Sequence, residues 1–172
     1  MELMAEMQAF ITVAFSNVWL LVGNFLILIV LTLGLLIFSH RGGRSALLSL
    51  ILALYAGYAL YIVFPYTDLI VGAGGSPVVQ AVISILLFFA GSALPYVLIR
   101  RITSGGFGSL SLFPNIILAF LAASFLLTLG YHVFDISNIY SFPAPLDHLF
   151  APQGYFFWWF IAPLVGLYIL AR

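Results

Sequence analysis

The sequence predicts an all-α fold: a polytopic membrane helical bundle of about five transmembrane helices, one integral membrane domain over residues 1–172. Three observations carry that prediction. First, 65% of the residues are hydrophobic and only 6% are charged, against about 25% charged in an ordinary soluble domain. Second, the apolar residues gather in runs of about 20, the length that crosses a hydrocarbon core. Third, the charges fall almost entirely in the gaps between runs, where side chains and free backbone groups can meet water.

Composition also narrows the chemistry. The formal net charge is zero, so no basic surface for nucleic acid is expected. There are no cysteines, which removes disulfides, thiolate nucleophiles and cysteine metal sites. All basic residues other than histidine are arginine, so neither a Schiff-base lysine nor a Walker-type loop is available.

The stretch 39–64 states most of the physical character, and the rest of the chain reads as organised around it. It opens on a basic turn, Ser39-His40-Arg41-Gly42-Gly43-Arg44, and enters an apolar helix carrying Ser45, Ser49, Ala53 and Gly57 at every fourth position. That spacing makes a narrow face for close helix packing. Tyr55, Tyr58 and Tyr61 lie on the opposite arc and read as interfacial anchors.

Ahead of it, residues 1–15 place Glu2, Glu6 and Thr12 on one helical face and Leu3, Met7, Phe10 and Ile11 on the other, the pattern of an interfacial amphipathic helix. This acidic segment lacks the basic start of a secretory signal and reads as retained. The spans expected from the apolar runs are 18–38, 45–64, 78–99, 114–134 and 155–171. Within the first, Asn17 and Asn24 share a face, and a buried amide requires a partner. The 65–77 connection reads as a loop. Pro95 should kink the third span, and the glycine-rich 104–111 connection reads as mobile. The fourth span carries a second close-packing face in Ala119 and Ala123. The 135–153 connection holds too many apolar residues for a free linker and is expected to fold back as a lid over the outer mouth of the bundle.

Orientation follows from charge. In a five-span arrangement all five arginines (Arg41, Arg44, Arg100, Arg101, Arg172) fall on one side and all five acids (Glu2, Glu6, Asp68, Asp135, Asp147) on the other. Short arginine-bearing loops stay cytoplasmic, so the N-terminus is expected outside and the C-terminus inside.

Chemistry-bearing residues are few. His132, Asp135, Asp147 and His148 form the one ionisable cluster and are the candidate ligands for zinc or a similar cation; the structural alternative is an interfacial histidine beside ordinary loop acids. Asn17, Asn24, Gln80, Ser84, Ser92, Ser124 and Thr128 would line a polar path if one exists; otherwise they are interhelical hydrogen-bonding groups. No span carries a mid-membrane Asp, Glu or Lys of the kind that couples protons to transport, and no serine sits in a nucleophile elbow. No cofactor is expected.

The run Arg41-Gly42-Gly43-Arg44-Ser45-Ala46-Leu47-Leu48-Ser49-Leu50, followed by small residues through Gly57, resembles the first hairpin of the colicin V production protein family. The resemblance covers about a third of the chain; the later half departs from the family and adds a fifth, aromatic span. It implies a bacterial inner-membrane protein linked to export or the envelope, with no catalytic residues to carry over. The expected function is therefore a non-catalytic scaffold or subunit of an envelope or export assembly, its partners the lipid bilayer and a membrane protein or further copies of itself. A small transporter or channel for a neutral or weakly polar solute is the alternative.

Overall fold

The structure, a computed structural model, describes residues 19–103 and 112–170. The amphipathic segment 1–15, Asn17, the glycine-rich 104–111 connection and Arg172 lie outside the described residues. What is described is helical throughout, with no strand. Helix α1 is Leu26–Gly42, α2 Arg44–Val63, α3 Thr67–Gly72, α4 Pro77–Thr103 and α5 Leu112–Val133. A 3-10 turn, Ile136–Asn138, precedes α6 (Ala144–Phe150) and α7 (Gln153–Leu170).

Among the described residues four helices are long and apolar enough to cross a membrane: Ser45–Val63 within α2, then α4, α5 and α7. α1 is apolar but shorter, at 17 residues. A helical turn over 19–24 precedes it, and the backbone ladder continues across Phe25, whose N–H donates to the Leu21 carbonyl at 3.1 Å while its own carbonyl accepts from Ile29 at 2.9 Å.

A single non-helical residue, Gly43, separates α1 from α2. It holds φ at +78°, a left-handed value that costs a side-chain-bearing residue about 1 kcal/mol or more. Gly42 is required for a different reason: a Cβ there would lie 2.6 Å from Cβ of Ala46. The basic glycine turn of the sequence is thus a one-residue reversal between two antiparallel helices.

The centre of the bundle is α5, which packs on α1, α2 and α7, while α4 packs along the outer side of α2. Half of the α5 span is buried, against 11% of the α7 span. The sequence pointed to α2 as the organising helix; α2 proves to be the layer between α4 and the central α5. Its small face serves α4, where Gly57 meets Ser92, and its Leu47, Leu48 and Ile51 meet Leu118, Ala119 and Ala122 of α5. Ala123 packs one turn further along, with Leu28 of α1 and Leu146 and Phe150 of α6. Ala119 and Ala123 are fully buried, so the second small-residue face is where the central helix admits its neighbours.

Three boundaries differ from expectation for identifiable reasons. The 65–77 connection contains α3, begun by Thr67, whose hydroxyl donates to the Phe64 carbonyl at 2.9 Å. α4 runs through Pro95 to Thr103 rather than stopping at residue 99, so Arg100 and Arg101 form its last turns. A proline inside a helix removes one backbone donor, yet the ladder on either side continues. In the 135–153 connection, Pro143 and Pro145 mark the start of a helix instead of a loop, since proline suits the first helical turn.

Tyr55, Tyr58 and Tyr61 form the α2 side of an aromatic block; Tyr55 lies mid-span, whereas Tyr61 stands two residues from the end of α2. Tyr55 stacks on Phe125 at 4.4 Å and meets Phe160 edge-on at 5.1 Å. Tyr58 meets Phe160 at 5.3 Å, and Tyr61 meets Phe134 at 5.7 Å. Offset and edge-to-face ring pairs of this kind are attractive beyond simple contact.

Candidate functional site

Two places gather polar side chains: the capped end of the bundle beside α6, and the seam between α2 and α4. At the first, Leu146 and Phe150 of α6 are buried against α5 and α1. A seven-residue helix leaves its last carbonyls without intrahelical donors, and neighbouring helices supply them. Trp159 Nε1–H of α7 donates to the Leu149 carbonyl at 2.9 Å. His132 of α5 places Nε2 2.8 Å from the Phe150 carbonyl; a carbonyl only accepts, so Nε2 carries the proton. Tyr131 O–H donates to Asp147 Oδ1 at 2.6 Å. The segment is therefore folded back on the bundle, held by apolar contacts and three side-chain hydrogen bonds.

The structure does not draw together the metal cluster that the sequence suggested. His132 Nε2 and one Asp147 oxygen are already engaged, and Asp135 and His148 stand exposed. Among the described residues no three His, Cys, Asp or Glu side chains come together. Trp159→Phe is expected to loosen α6 by about 1 kcal/mol, the worth of one such bond. Several-fold faster amide exchange across 144–150 would show it; unchanged exchange would mean that the apolar contacts hold α6 alone.

At the seam, Ser49 Oγ lies 2.9 Å from Thr103 Oγ1. Thr103 itself donates to the Ile99 carbonyl at 2.8 Å, so Ser49 is the donor across the helices. Ser45 lies one turn earlier, half-buried. Ala53 is fully buried, and at Gly57 an added Cβ would lie 2.8 Å from Ser92 Cβ and 3.0 Å from Ser92 Cα, overlapping its hydroxyl.

Asn17 aside, the residues proposed for a polar path are spread over the approach to α1, α4 and α5. Gln80 Nε2–H donates to the Gly74 carbonyl at 2.9 Å, closing the α3–α4 connection. Ser92 donates to its own helix at the Phe88 carbonyl, 2.8 Å, and Thr128 to the Ser124 carbonyl, 2.8 Å. Ser84 is buried on α4, Asn24 is half-buried ahead of α1, and the Ser124 hydroxyl is buried without a partner. Two cavities are apolar. One, about 420 Å³, lies between α2 and α4 and includes Leu60, Phe64 and Leu87; the other, about 590 Å³, lies among α1, α5, α6 and α7 and includes Leu28, Phe120 and Trp159.

The sequence missed one contact that ties three helices. Tyr55 O–H of α2 donates to the Phe160 carbonyl of α7 beside the stacked Phe125 of α5. Pro163, buried in α7, has no N–H for the carbonyl of Trp159, so the α7 ladder is interrupted at this level. Two signals were available: a proline within an apolar run, and a tyrosine too deep in its span to reach an interface. Tyr55→Phe is expected to cost about 1 kcal/mol without moving the ring, measured as a lower unfolding midpoint in detergent.

Charge is segregated. Arg41 ends α1, residue 44 begins α2, and Arg100 and Arg101 end α4, all at one end of the bundle; Asp68, Asp135 and Asp147 lie at the other, in α3, after α5 and in α6.

The fold and these contacts define a class: an all-α bundle with membrane-length helices, an aromatic centre and opposite charges at its ends. Comparison with known families, curated proteins and solved structures finds no match for this chain.

Proposed function

We propose that this protein is a five-span integral membrane scaffold, a non-catalytic subunit of an envelope or export assembly, with its arginine end cytoplasmic. The observation that carries the reading is how the interior is filled. Gly57 seats against Ser92, Gly166 against Leu121, and the aromatic block occupies the space between α2, α5 and α7. The hydroxyls of Ser92 and Thr128 turn back to the carbonyls of their own helices. The outer faces of α4 and α7, by contrast, carry exposed Leu86, Phe89, Leu94, Phe157, Trp158 and Tyr168, surface that lipid or another membrane protein must cover. The likeness of residues 41–50 to the colicin V production proteins points the same way.

Native mass spectrometry of the protein extracted in mild detergent tests this. A stable hetero-complex is the expected result. A lone monomer or homo-oligomer would overturn the subunit reading and bring forward passage of a neutral solute, tested by flux into proteoliposomes.

The proposed orientation has its own test, made simple by the absence of native cysteine. Ser137→Cys, exposed within the 3-10 turn, is expected to react with an impermeant maleimide from outside. Ile102→Cys, exposed near the end of α4, is expected to react only after permeabilisation. Labelling of both from the same side would refute the arrangement.

A further inference from the structure

We infer that the arginine end of α4 holds a site for the phosphate group of an anionic phospholipid, built by Tyr96 and Arg100 where α4 passes the end of α1. Arg100 lies one helical turn beyond Tyr96. Its Nη1–H donates to the tyrosine oxygen at 2.9 Å, and its guanidinium carbon lies 5.8 Å from the centroid of the same ring. The ring is in turn placed against Phe38 of α1, with centroids 6.2 Å apart. On its other side the guanidinium approaches the α1–α2 turn, 4.0 Å from where a Cβ on Gly42 would sit. These contacts direct the exposed Arg100 side chain toward Tyr96 and the end of α1.

The pairing leaves donors to offer. A phenol that accepts a hydrogen bond keeps its own O–H, and a guanidinium that has used one N–H has about four remaining. A tetrahedral phosphate is the anion whose oxygens suit such a fork. Beside the pair opens a cleft of about 280 Å³ lined by Tyr96, Val97, Arg100 and Arg101.

Charge complementarity supplies the sign of the ligand. Among the described residues no carboxylate lies at this end, since Asp68, Asp135 and Asp147 are all at the opposite one. The surroundings supply its source. Val97 is 49% exposed and Leu94, one turn deeper in α4, is 65% exposed. A phosphodiester held at Tyr96 and Arg100 would therefore lay its acyl chains along an apolar helix face, which a free anion cannot exploit. Basic groups at the cytoplasmic face attract anionic headgroups in general; here one aromatic–arginine pair gives that attraction a fixed address. The inference requires the bundle to sit in a bilayer and does not depend on the scaffold reading.

The test is thermal unfolding of the full chain in neutral detergent with added phosphatidylglycerol, phosphatidylcholine or inorganic phosphate. Phosphatidylglycerol is expected to raise the midpoint of the wild type by several degrees relative to phosphatidylcholine. Tyr96→Phe keeps the ring, the Phe38 contact and every charge, and is expected to lose at least half of that rise. Arg100→Gln should lose as much. A full rise in Tyr96→Phe would overturn the site in favour of diffuse attraction. An equal rise with inorganic phosphate would overturn the lipid as its ligand. No partner protein is present in the sample, so failure of the scaffold proposal leaves these outcomes readable.

Discussion

Gly57→Leu is expected to abolish the native packing of α2 on α4. Even the first carbon of a side chain has nowhere to go: it would come within 3.0 Å of Ser92 Cα, which is backbone and cannot swing aside. Overpacking a tight site costs about 1–3 kcal/mol when neighbours can adjust, and leucine here meets a helix axis instead of a side-chain tip. Loss of the folded species in detergent, read as protease sensitivity and a broad elution profile, is the expected result. Gly57→Ala should fold with a lowered midpoint, and Ser92→Gly should restore part of it by removing the opposing Cβ and hydroxyl. If Gly57→Leu matches the wild type in midpoint and elution, the close approach is not what holds α2 to α4.

Phe125→Ala is expected to be the most damaging change within the aromatic block. The ring is fully buried, stacked at 4.4 Å on Tyr55 and edge-on to Phe160 at 5.4 Å. Removing a buried phenylalanine costs about 3–5 kcal/mol in a soluble core. In lipid the transfer contribution weakens, because acyl chains are as apolar as the interior, but the lost dispersion contacts remain; about 3 kcal/mol is the expectation. Phe157→Ala on the outer face of α7, where the ring is 59% exposed, should stay within about 0.5 kcal/mol. Unfolding both variants in the same detergent decides the matter. Equal losses would mean that burial within the bundle confers no more than contact with lipid.

The sequence made the helices and the close-packing faces legible because both depend on local pattern. Apolar runs of membrane length have few alternatives, and small residues at every fourth position of α2 mark a narrow face whatever lies opposite. Pattern does not say which helix lies opposite. The same periodicity that exposed Ser49 and Gly57 could not show that α5, rather than α2, sits at the centre. Tyr55, Tyr58 and Tyr61 illustrate the limit: a three-residue spacing is identical for an anchor row and for one wall of an aromatic core, and only the depth of Tyr55 separates them. His132 and Asp147 were recognisable as ligand types. Nothing in their spacing revealed that α6 would form and that its final carbonyls would need donors. Pro143 and Pro145 looked like loop markers for the same reason, since proline at a helix start and proline in a linker look alike until the next turn is known to close.

The place of α5 in the chain has a consequence for biogenesis. The central helix is made after α1, α2 and α4, and it packs on α1, whose synthesis ended some seventy residues earlier, at Gly42. During translation α1 and α2 can pair as a hairpin closed by Gly43, and α4 can join α2 at the Gly57 seam. The inner faces of α1 and α2, with Leu28, Leu47 and Ile51, stay without their native neighbour until α5 emerges. A nascent chain arrested before residue 112 would thus present an open groove to the insertion machinery, and its release would wait on the arrival of a single helix.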